Sequence, residues 1–162
     1  MSIKTYVSNS LGPDCEPEKT DVGEIGGVVS AIYNSISFPA GGEPQYERFR
    51  SLFAPHARLT HAGAEEASVV DVVTFIERFK ETVNLGILKS LREKEIKRKT
   101  YEFGSIVHVF SSYEAEAEGR SGRFKKKGLN SIQMFRANGR YWVISLLWDD
   151  ERETLELPPE FS

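Results

Sequence analysis

The stretch that decides the fold is Gly128–Asp150, which reads GLNSIQMFRANGRYWVISLLWDD. Two apolar runs, Leu129–Phe135 and Tyr141–Trp148, flank the dipeptide formed by Asn138 and Gly139. Asn-Gly favours a two-residue type I′ turn, because that turn needs positive φ at both central residues. The stretch therefore predicts an antiparallel hairpin with this dipeptide at its tip.

The tip of the hairpin also sets its register. Counting outward from the turn places Gln133 on a face that otherwise carries large apolar side chains, and a few polar groups among apolar ones are typical of a ligand pocket. Trp148 falls on the same face. The pairs that this register predicts are Gln133 with Ile144, Ser131 with Leu146, and Phe135 with Trp142.

A second hairpin is predicted by its charges. If Gly119–Gly122 forms the loop between two long strands, three acidic residues fall opposite three basic ones, which cross-strand pairing favours. The charged pairs are Glu118 with Arg123, Glu116 with Lys125, and Glu114 with Lys127. The same register places Phe110 opposite Ser131 and His108 opposite Gln133. The charged ladder is then the solvated end of a hairpin whose other end enters the protein.

Length and composition indicate one globular domain. The chain has 162 residues, 40% of them hydrophobic and 28% charged, enough to bury roughly 70% of the unfolded surface. The net charge of −3 gives no basic face, so we expect no nucleic-acid partner. No run approaches the roughly 18 apolar residues of a membrane span, and MSIKTYVSNS lacks the apolar core of a signal peptide. We therefore expect a cytoplasmic protein with no membrane partner.

The sequence indicates neither a metal nor a cofactor. A single cysteine, Cys15, excludes an intramolecular disulfide and a cysteine-based zinc cluster. No His-x-x-x-His spacing exists, and the glycines of GEIGG at 23–27 follow no predicted strand, which a phosphate loop requires. We expect a cofactor-free protein without a metal site.

The rest of the chain supplies helices first and strands afterwards. We expect a flexible N-terminal arm at 1–20, a single domain at 21–150 and a C-terminal tail at 151–162. Asp21 is the predicted N-cap of the first helix, with Glu24 completing a capping box. The later elements predicted are a short helix from Tyr46 to before Pro55, a strand at Ala57–Ala62, a helix near Val69–Val83, and strands at Glu95–Phe103, Ser105–Glu118, Arg123–Phe135 and Arg140–Asp149.

This order predicts an α+β fold. A long, twisted antiparallel meander covered by helices on one face would curve around the N-terminal helices. The predicted shape is a cone with an internal pocket at its mouth.

The chain resembles the nuclear transport factor 2-like superfamily, and within it the SnoaL-like and ketosteroid-isomerase-like members. The resemblance spans about residues 21–150. It rests on Val28, Val29 and Tyr33, on FAPHARLTHAG at 53–63, on HVFSSYE at 108–114, and on SIQMFRANGRYWVI at 131–144. It implies a cystatin-like cone with a pocket, on which isomerases, dehydratases, cyclases and pure binding proteins are all found.

The resemblance also implies candidate catalytic positions. The isomerases of the family use an Asp base, a Tyr and a protonated Asp that donate hydrogen bonds to an oxyanion. In this chain His61 stands at the position of the base, Gln133 at that of the protonated Asp, and Tyr33 within about one residue of the Tyr. Two of the three positions thus carry a different residue type.

Each candidate has a chemical role and a structural alternative. His61 could act as a general base near neutral pH, or lie at the surface at the end of its strand; Thr60 has the opposite parity and would replace it after a one-residue slip. Gln133 could donate to an oxyanion, or be a core amide bonded to His108 or water. His108 could polarise a substrate beside Gln133, or be a satisfied core histidine. The expected pocket lining is Trp148, Trp142, Ile144, Leu146, Ser131 and Phe110, whereas His56, Asp149 and Asp150 are expected to be solvated.

Two functional hypotheses follow. In the first, the chain is a lyase, isomerase or cyclase for a small, largely apolar carbonyl compound, with His61 as base and Gln133, Tyr33 or His108 as oxyanion donors. In the second, it is a ligand-binding or assembly module without chemistry. Under either hypothesis we expect a homodimer through the outer sheet face, because a second apolar row on the last strand needs a partner. That row is Tyr141, Val143, Ser145 and Leu147.

Overall fold

The computed structural model describes residues 16–63 and 65–162. Residues 1–15 of the predicted N-terminal arm therefore lie outside the described residues. Within the described part of the chain, four helices and six strands follow one another, with a final 3₁₀ turn. They are α1 (Lys19–Val22), α2 (Ile25–Ile36), α3 (Tyr46–Ser51), β1 (Phe53–His61), β2 (Ser68–Asp71), α4 (Val72–Asn84), β3 (Leu88–Phe103), β4 (Ile106–Gly119), β5 (Gly122–Ala137), β6 (Arg140–Asp150) and the 3₁₀ turn Pro159–Phe161.

All six strands form one curved, unclosed sheet in the order β2-β1-β6-β5-β4-β3. Strands β3 to β6 are the predicted antiparallel meander. Strand β1 joins it in parallel with β6, and β2 pairs antiparallel with β1 at the edge. The prediction of an α+β fold with a curved sheet around N-terminal helices is confirmed. Strand β2 occupies residues that were expected to begin the third helix.

The two predicted hairpins differ in how well their register was foreseen. The β4–β5 register is as predicted, with Glu118 opposite Arg123 and His108 opposite Gln133. The β5–β6 turn is also as predicted, since Asn138 has φ 54° and Gly139 has φ 76°. The β5–β6 register, however, shifts by one residue between Gln133 and Met134. Beyond that bulge the prediction is wrong.

The bulge changes which residues of β6 face the helices. Ile144 is the extra residue, so Gln133 pairs with Ser145 instead of Ile144, and Ser131 pairs with Leu147 instead of Leu146. A bulge reverses the alternation of the strand that carries it. We call the helix-covered side the inner face; its members include Val109, Ser111, Tyr113, Ala115, Asn130, Ile132, Met134, Val143, Leu146 and Trp148. We call the other side the outer face; its members include His108, Phe110, Ser131, Gln133, Phe135, Trp142, Ser145 and Leu147.

Helices α2, α3 and α4 pack against the inner face and bury the core. Helix α2 begins at Ile25 because Glu24, with extended backbone, takes the N-cap position. Asp21, the predicted cap, instead accepts two hydrogen bonds from the Arg48 guanidinium at 2.7 and 2.9 Å. This bidentate pair fastens α1 to α3. No helix within residues 16–63 and 65–162 is long and apolar enough to cross a membrane.

The C-terminal tail packs on the outer face. Phe161 is buried, and its carbonyl oxygen accepts a hydrogen bond of 2.7 Å from the Ser112 hydroxyl. Its ring lies 6.2 Å from that of Phe110. Lys99 holds the same segment through a 3.1 Å ion pair with Glu160. The last residues thus cover one end of the outer face.

Candidate functional site

A cavity of about 550 Å³ lies between the helices and the inner face. Its helix side is mostly apolar, because the amphipathic faces of α2, α3 and α4 point into it. Three aromatic rings dominate there, with Phe49 stacked on Phe75 at 5.3 Å and Phe79 beside Phe75 at 5.9 Å. The other apolar side chains that line the cavity are Ile32, Ile36, Leu59, Val70, Leu91 and Leu146.

The sheet side of the cavity is polar, and its polar groups stand in rows set by the strand register. The first row is Glu93 on β3, Ala115 on β4 and Lys126 on β5. Ala115 is fully buried and has the smallest side chain available to an L-residue. Because so little stands between them, the carboxyl of Glu93 and the ammonium of Lys126 both reach into the cavity.

In the next row a glycine lets two side chains meet across a strand. Tyr113 on β4 pairs with Gly128 on β5, and Gly128 pairs with Asp150 on β6. The Tyr113 hydroxyl crosses over Gly128 and donates a hydrogen bond of 2.5 Å to Asp150 Oδ1. A Cβ atom at Gly128 would overlap the Tyr113 hydroxyl and the carbonyl oxygen of Asp149. Glycine is therefore required at this position.

Asp150 gathers two further groups around its carboxylate. The ammonium of Lys126 lies 3.1 Å from Oδ1 and 3.2 Å from Oδ2. The His61 Nε2 lies 3.3 Å from Oδ2. Burial, together with the hydrogen bond to this carboxylate, raises the pKa of Tyr113, so the phenol stays protonated and remains a donor. Asp150 is thus the hub of the polar wall.

His61 reaches this hub from the neighbouring strand. It ends β1 and pairs with Trp148 on β6, and the two rings stack at 5.2 Å with an interplanar angle of 5°. Trp148 in turn meets Phe75 edge to face at 6.1 Å. The stack and the carboxylate hold the imidazole at the cavity wall, while its side chain keeps 42% of its exposure.

The cavity shifts the pKa of Glu93 into the neutral range. Burial raises the pKa of Glu93 to about 7, the negative charge of Asp150 adds to the rise, and the positive charge of Lys126 opposes it. The side chain is enclosed by the cavity walls but keeps some contact with the cavity interior. Near neutral pH this carboxyl therefore exists in both protonation states and can give or take a proton.

A buried chain of hydrogen bonds runs behind the cavity wall, from Asn130 through Tyr33 and Ser111 to Glu95. The Asn130 amide donates to the Tyr33 hydroxyl at 3.0 Å, and that hydroxyl lies 2.8 Å from Ser111 Oγ. Ser111 donates its own proton to Glu95, so it accepts from Tyr33. Tyr33 therefore has no proton left for a ligand. Burial also raises its pKa.

This chain of hydrogen bonds leaves Asn130 as the member that faces the cavity. Within the described residues its second N–H has no hydrogen-bond acceptor. Asn130 is itself 4% exposed, and the hydrogen bond to Tyr33 fixes the orientation of its amide. A bound oxygen atom could accept from this N–H.

The structure separates the predicted site residues into two groups. His61, Leu146 and Trp148 line the cavity, and Tyr33 lies behind its wall. The expectation that six others line it is wrong: Gln133, His108, Ser131, Phe110 and Trp142 belong to the outer face, and Ile144 is the exposed bulge residue. On that face His108 Nε2 lies 2.9 Å from Ser131 Oγ, and the Arg140 guanidinium lies 3.6 Å from the Trp142 ring centroid.

Four groups at the polar wall that the proposed chemistry uses, Glu93, Lys126, Asn130 and Asp150, were not predicted from the sequence, and one of them had a usable signal. Lys126 stands between Lys125 and Lys127, whose side chains belong to the solvated ladder, so alternation alone sends Lys126 to the inner face. Asp150 was expected to be solvated, and only the bulge and its alignment with Gly128 bring it inward. Glu93 lay in a segment without a predicted element, and Asn130 has the opposite parity to Gln133. His56, expected at the surface, is exposed.

Among residues 16–63 and 65–162 no group of three or more His, Cys, Asp and Glu side chains has the arrangement of a metal site.

Comparison with known proteins places the fold. No protein-family model and no curated protein matches the sequence. Among solved structures, a variant of Rv3472, a protein of unknown function from Mycobacterium tuberculosis, has a TM-score of 0.64 at 10% identity and covers 80% of this chain and 71% of its own. LinA has a TM-score of 0.63 at 9% identity, covering 81% of this chain and 88% of its own. A candidate dehydratase of the NTF2-like family from Streptomyces avermitilis has a TM-score of 0.60 at 10% identity, covering 82% and 97%.

These similarities establish an NTF2-like, cystatin-like fold for the chain. At such low identity they speak for the fold alone. The chemistry has to be argued from the cavity itself.

Proposed function

We propose that this chain is a cofactor-independent lyase or isomerase that moves a proton on a small, mostly apolar carbonyl compound. One observation carries the proposal: a single cavity contains a carboxyl whose pKa is near 7 and a histidine beside a carboxylate. Groups with pKa values near the working pH are what general acid–base catalysis needs. The NTF2-like fold is compatible with such chemistry, which it hosts without prescribing.

In this proposal His61 is the base. It takes a proton from the carbon next to the substrate carbonyl and becomes an imidazolium. The Asp150 carboxylate, 3.3 Å from Nε2, stabilises that positive charge. Stacking on Trp148 limits rotation of the ring. Asp150 is thus a positioning residue, and its other two partners, Tyr113 and Lys126, hold it in place.

Glu93 is the acid in the same proposal. Its raised pKa keeps a fraction of the carboxyl protonated at neutral pH, so it can donate to the carbonyl oxygen as negative charge develops there. The free N–H of Asn130 supplies a second donor. These two groups take the role that the sequence assigned to Gln133, Tyr33 and His108. Removing one oxyanion donor typically costs about 2.7–4 kcal/mol of transition-state stabilisation.

The apolar wall indicates the kind of substrate. Phe49, Phe75 and Phe79 form a hydrophobic surface opposite the polar wall. A flat ring against these side chains would present its carbonyl to Glu93 and Asn130. Exclusion of water by the same rings strengthens those hydrogen bonds.

The test is hydrogen–deuterium exchange, because it detects proton removal from carbon without knowledge of the full reaction. The chain is incubated in D₂O with 1-indanone, 2-tetralone and 2-cyclohexenone, and the loss of α-proton signals is followed by ¹H NMR. We expect exchange faster than in buffer with at least one ring-fused ketone, about 10²-fold slower exchange after Glu93→Leu, and no change after Gln133→Ala, the matched control on the outer face.

Two results would contradict the proposal. One is a rate that stays unchanged in both His61→Ala and Glu93→Leu. The other is binding of these ketones to the wild-type chain without any acceleration of exchange. The second result would favour the alternative function, a ligand-binding module without chemistry.

We also propose that the outer face associates with a second copy of the chain. Support comes from exposed apolar side chains that share this side: Tyr101 at 58%, Phe103 at 85%, Ile106 at 64% and Leu147 at 40%. Across β3 to β6, the rows through His108 and Ile106 contain no Asp, Glu, Lys or Arg side chain; the row through His108 reaches charged residues only on β1 and β2, at Arg58 and Asp71. A neutral apolar surface can meet its own copy without like-charge repulsion. Val143, expected on this face, lies in the core because of the bulge.

Sedimentation velocity at micromolar concentration tests this association. We expect a dimer for the wild-type chain and a monomer after Phe103→Glu combined with Ile106→Glu. Val73→Glu on helix α4, on the opposite side of the sheet and 47% exposed in the wild type, is the matched control and should remain dimeric. A monomer in all three samples would end the dimer proposal.

A further inference from the structure

One side of the cavity mouth carries a cation beside a hydroxyl. Ser68 on β2 pairs with His61 on β1, and both line the cavity. Arg78 on α4 lines it as well, and its Nη1 lies 3.5 Å from Ser68 Oγ. A distance of this length is a weak hydrogen bond. The guanidinium is therefore held only loosely at the mouth. Its partner Ser68 lies on the strand next to the one that carries His61, the proposed base.

The guanidinium of Arg78 has most of its donors free for a ligand. Among residues 16–63 and 65–162 no carboxylate lies within 4.0 Å of it, and Ser68 is its one hydrogen-bond partner. The side chain is exposed. A guanidinium presents five N–H groups in a planar fork that matches both oxygens of a carboxylate.

Farther inside the cavity, the charged side chains are either acidic or already paired with an acid. Asp150 and Glu93 are the acidic groups of the polar wall, and the ammonium of Lys126 is 3.1 Å from the Asp150 carboxylate. An anionic group in the interior would meet these acids. At the mouth it would meet Arg78, which has no carboxylate within 4.0 Å among the described residues. The cavity thus orients a singly charged anion with its charge outward and its apolar part inward.

We propose that the cavity binds aromatic compounds that carry one carboxylate, with the carboxylate held by Arg78 and Ser68 at the mouth. The inference rests on the proposed function in that it concerns the substrate of the same site. The ring system packs against Phe75 and Phe79, whose helix also presents Arg78. The distance between the ring and the charge then selects the ligand, because a carboxylate joined directly to a buried ring does not reach the mouth.

The experiment compares two ligands that differ only in charge. 2-Naphthylacetate and 2-naphthylacetamide have the same shape, and isothermal titration calorimetry at low ionic strength gives the Kd of each for the full chain. We expect about tenfold tighter binding of the carboxylate and a ratio near one after Arg78→Gln. Arg92→Gln is the matched control: it removes the same charge from an exposed side chain next to Glu93 in the chain, and it should keep the preference.

Two results would overturn the inference. They are equal affinity of the wild-type chain for the two compounds, and a preference that survives Arg78→Gln. If Lys126→Gln then removes the surviving preference, the anion lies inside the cavity. Calorimetry requires no turnover, so a charge preference without ketone exchange leaves this inference standing while the proposed function fails. Exchange of neutral ketones without a charge preference does the reverse.

Discussion

Two histidines on opposite faces of the same sheet show what the environment contributes to a site. His61, on the inner face, stacks on Trp148 and lies 3.3 Å from the Asp150 carboxylate. His108, on the outer face, lies 2.9 Å from the Ser131 hydroxyl and 4.4 Å from the Phe110 ring. Both have an aromatic neighbour and a polar partner. Only the inner histidine also has a carboxylate and a cavity.

Neither residue type nor pairwise contacts therefore distinguish the candidate site from the opposite face of the sheet. The outer face has a histidine, a glutamine and several aromatic rings, which made it look like a pocket in the sequence. On the inner face, polar groups meet because the side chains of neighbouring strands stand in rows across β3 to β6. In those rows two small residues, Ala115 and Gly128, leave room for larger neighbours to meet.

Removal of each histidine in turn tests the difference between the two faces most directly. We expect His61→Ala to slow ketone exchange about 10²-fold or more, because a positioned general base contributes that much. His108→Ala should leave the rate within about twofold, since no polar contact connects it to the cavity wall in the described residues. The same D₂O assay measures both. Equal losses in the two variants would remove the functional distinction between the faces.

The pH dependence of stability sharpens the assignment of Glu93. Its pKa is raised from 4.5 to about 7 in the folded state, so its contribution is fully present below about pH 4.5 and is lost as pH rises through about 7. Unfolding free energy should therefore fall over this range by up to about 3 kcal/mol relative to Glu93→Gln. Urea titrations of both proteins at several pH values measure the difference. Parallel curves would show that Glu93 is not buried in the folded protein.

The raised pKa of Glu93 also predicts how the exchange rate depends on pH. Because Glu93 acts as the acid, the exchange rate should fall as pH rises through about 7. In Glu93→Gln the descending limb should disappear, since an amide does not titrate. A limb that instead rises through this range in the wild type and disappears in Glu93→Gln would identify Glu93 as the base.

The row structure of the inner face can be tested at Gly128. Gly128→Ala should lower the unfolding free energy by about 2 kcal/mol, because the added methyl group overlaps the Tyr113 hydroxyl and the Asp149 carbonyl oxygen. Gly139→Ala provides a control for glycine loss: at φ 76° it strains the turn but meets no atom within 4 Å. Chemical denaturation measures stability, and only Gly128→Ala should also reduce ketone exchange. If both variants lose only stability, the Tyr113–Asp150 contact has no role in the site.

The smallest effects are expected on the outer face. His108→Ala should cost about 1 kcal/mol of stability, since it removes one partly buried hydrogen bond to Ser131. Gln133→Ala, which is exposed, should stay within about 0.5 kcal/mol of the wild type. Thermal unfolding of the two variants measures this. A large loss of stability in Gln133→Ala would show that Gln133 makes contacts that are absent from the structure.

Much of the fold was predictable because it depends on local chemistry. The Asn138-Gly139 turn and the charged ladder of β4–β5 are set by neighbouring residues, and both predicted features are found. The site was less predictable. Its face depended on a one-residue bulge at Ile144, which no turn or charge pattern announced. Of the catalytic candidates, His61 reaches the cavity wall, and its role there stays a prediction.

Apart from strand β2, which was not predicted, the amino-acid sequence was enough to predict the order of the elements, the two hairpin turns and the register of the charged hairpin. Each of these depends on interactions between residues that are close in the chain or paired by one turn. Only the tertiary structure decided which face of the sheet the helices cover, and with it which polar groups share the cavity. That decision depends on the β6 bulge and on contacts between distant strands. It turned Asn130, Lys126 and Asp150 inward and Gln133 outward.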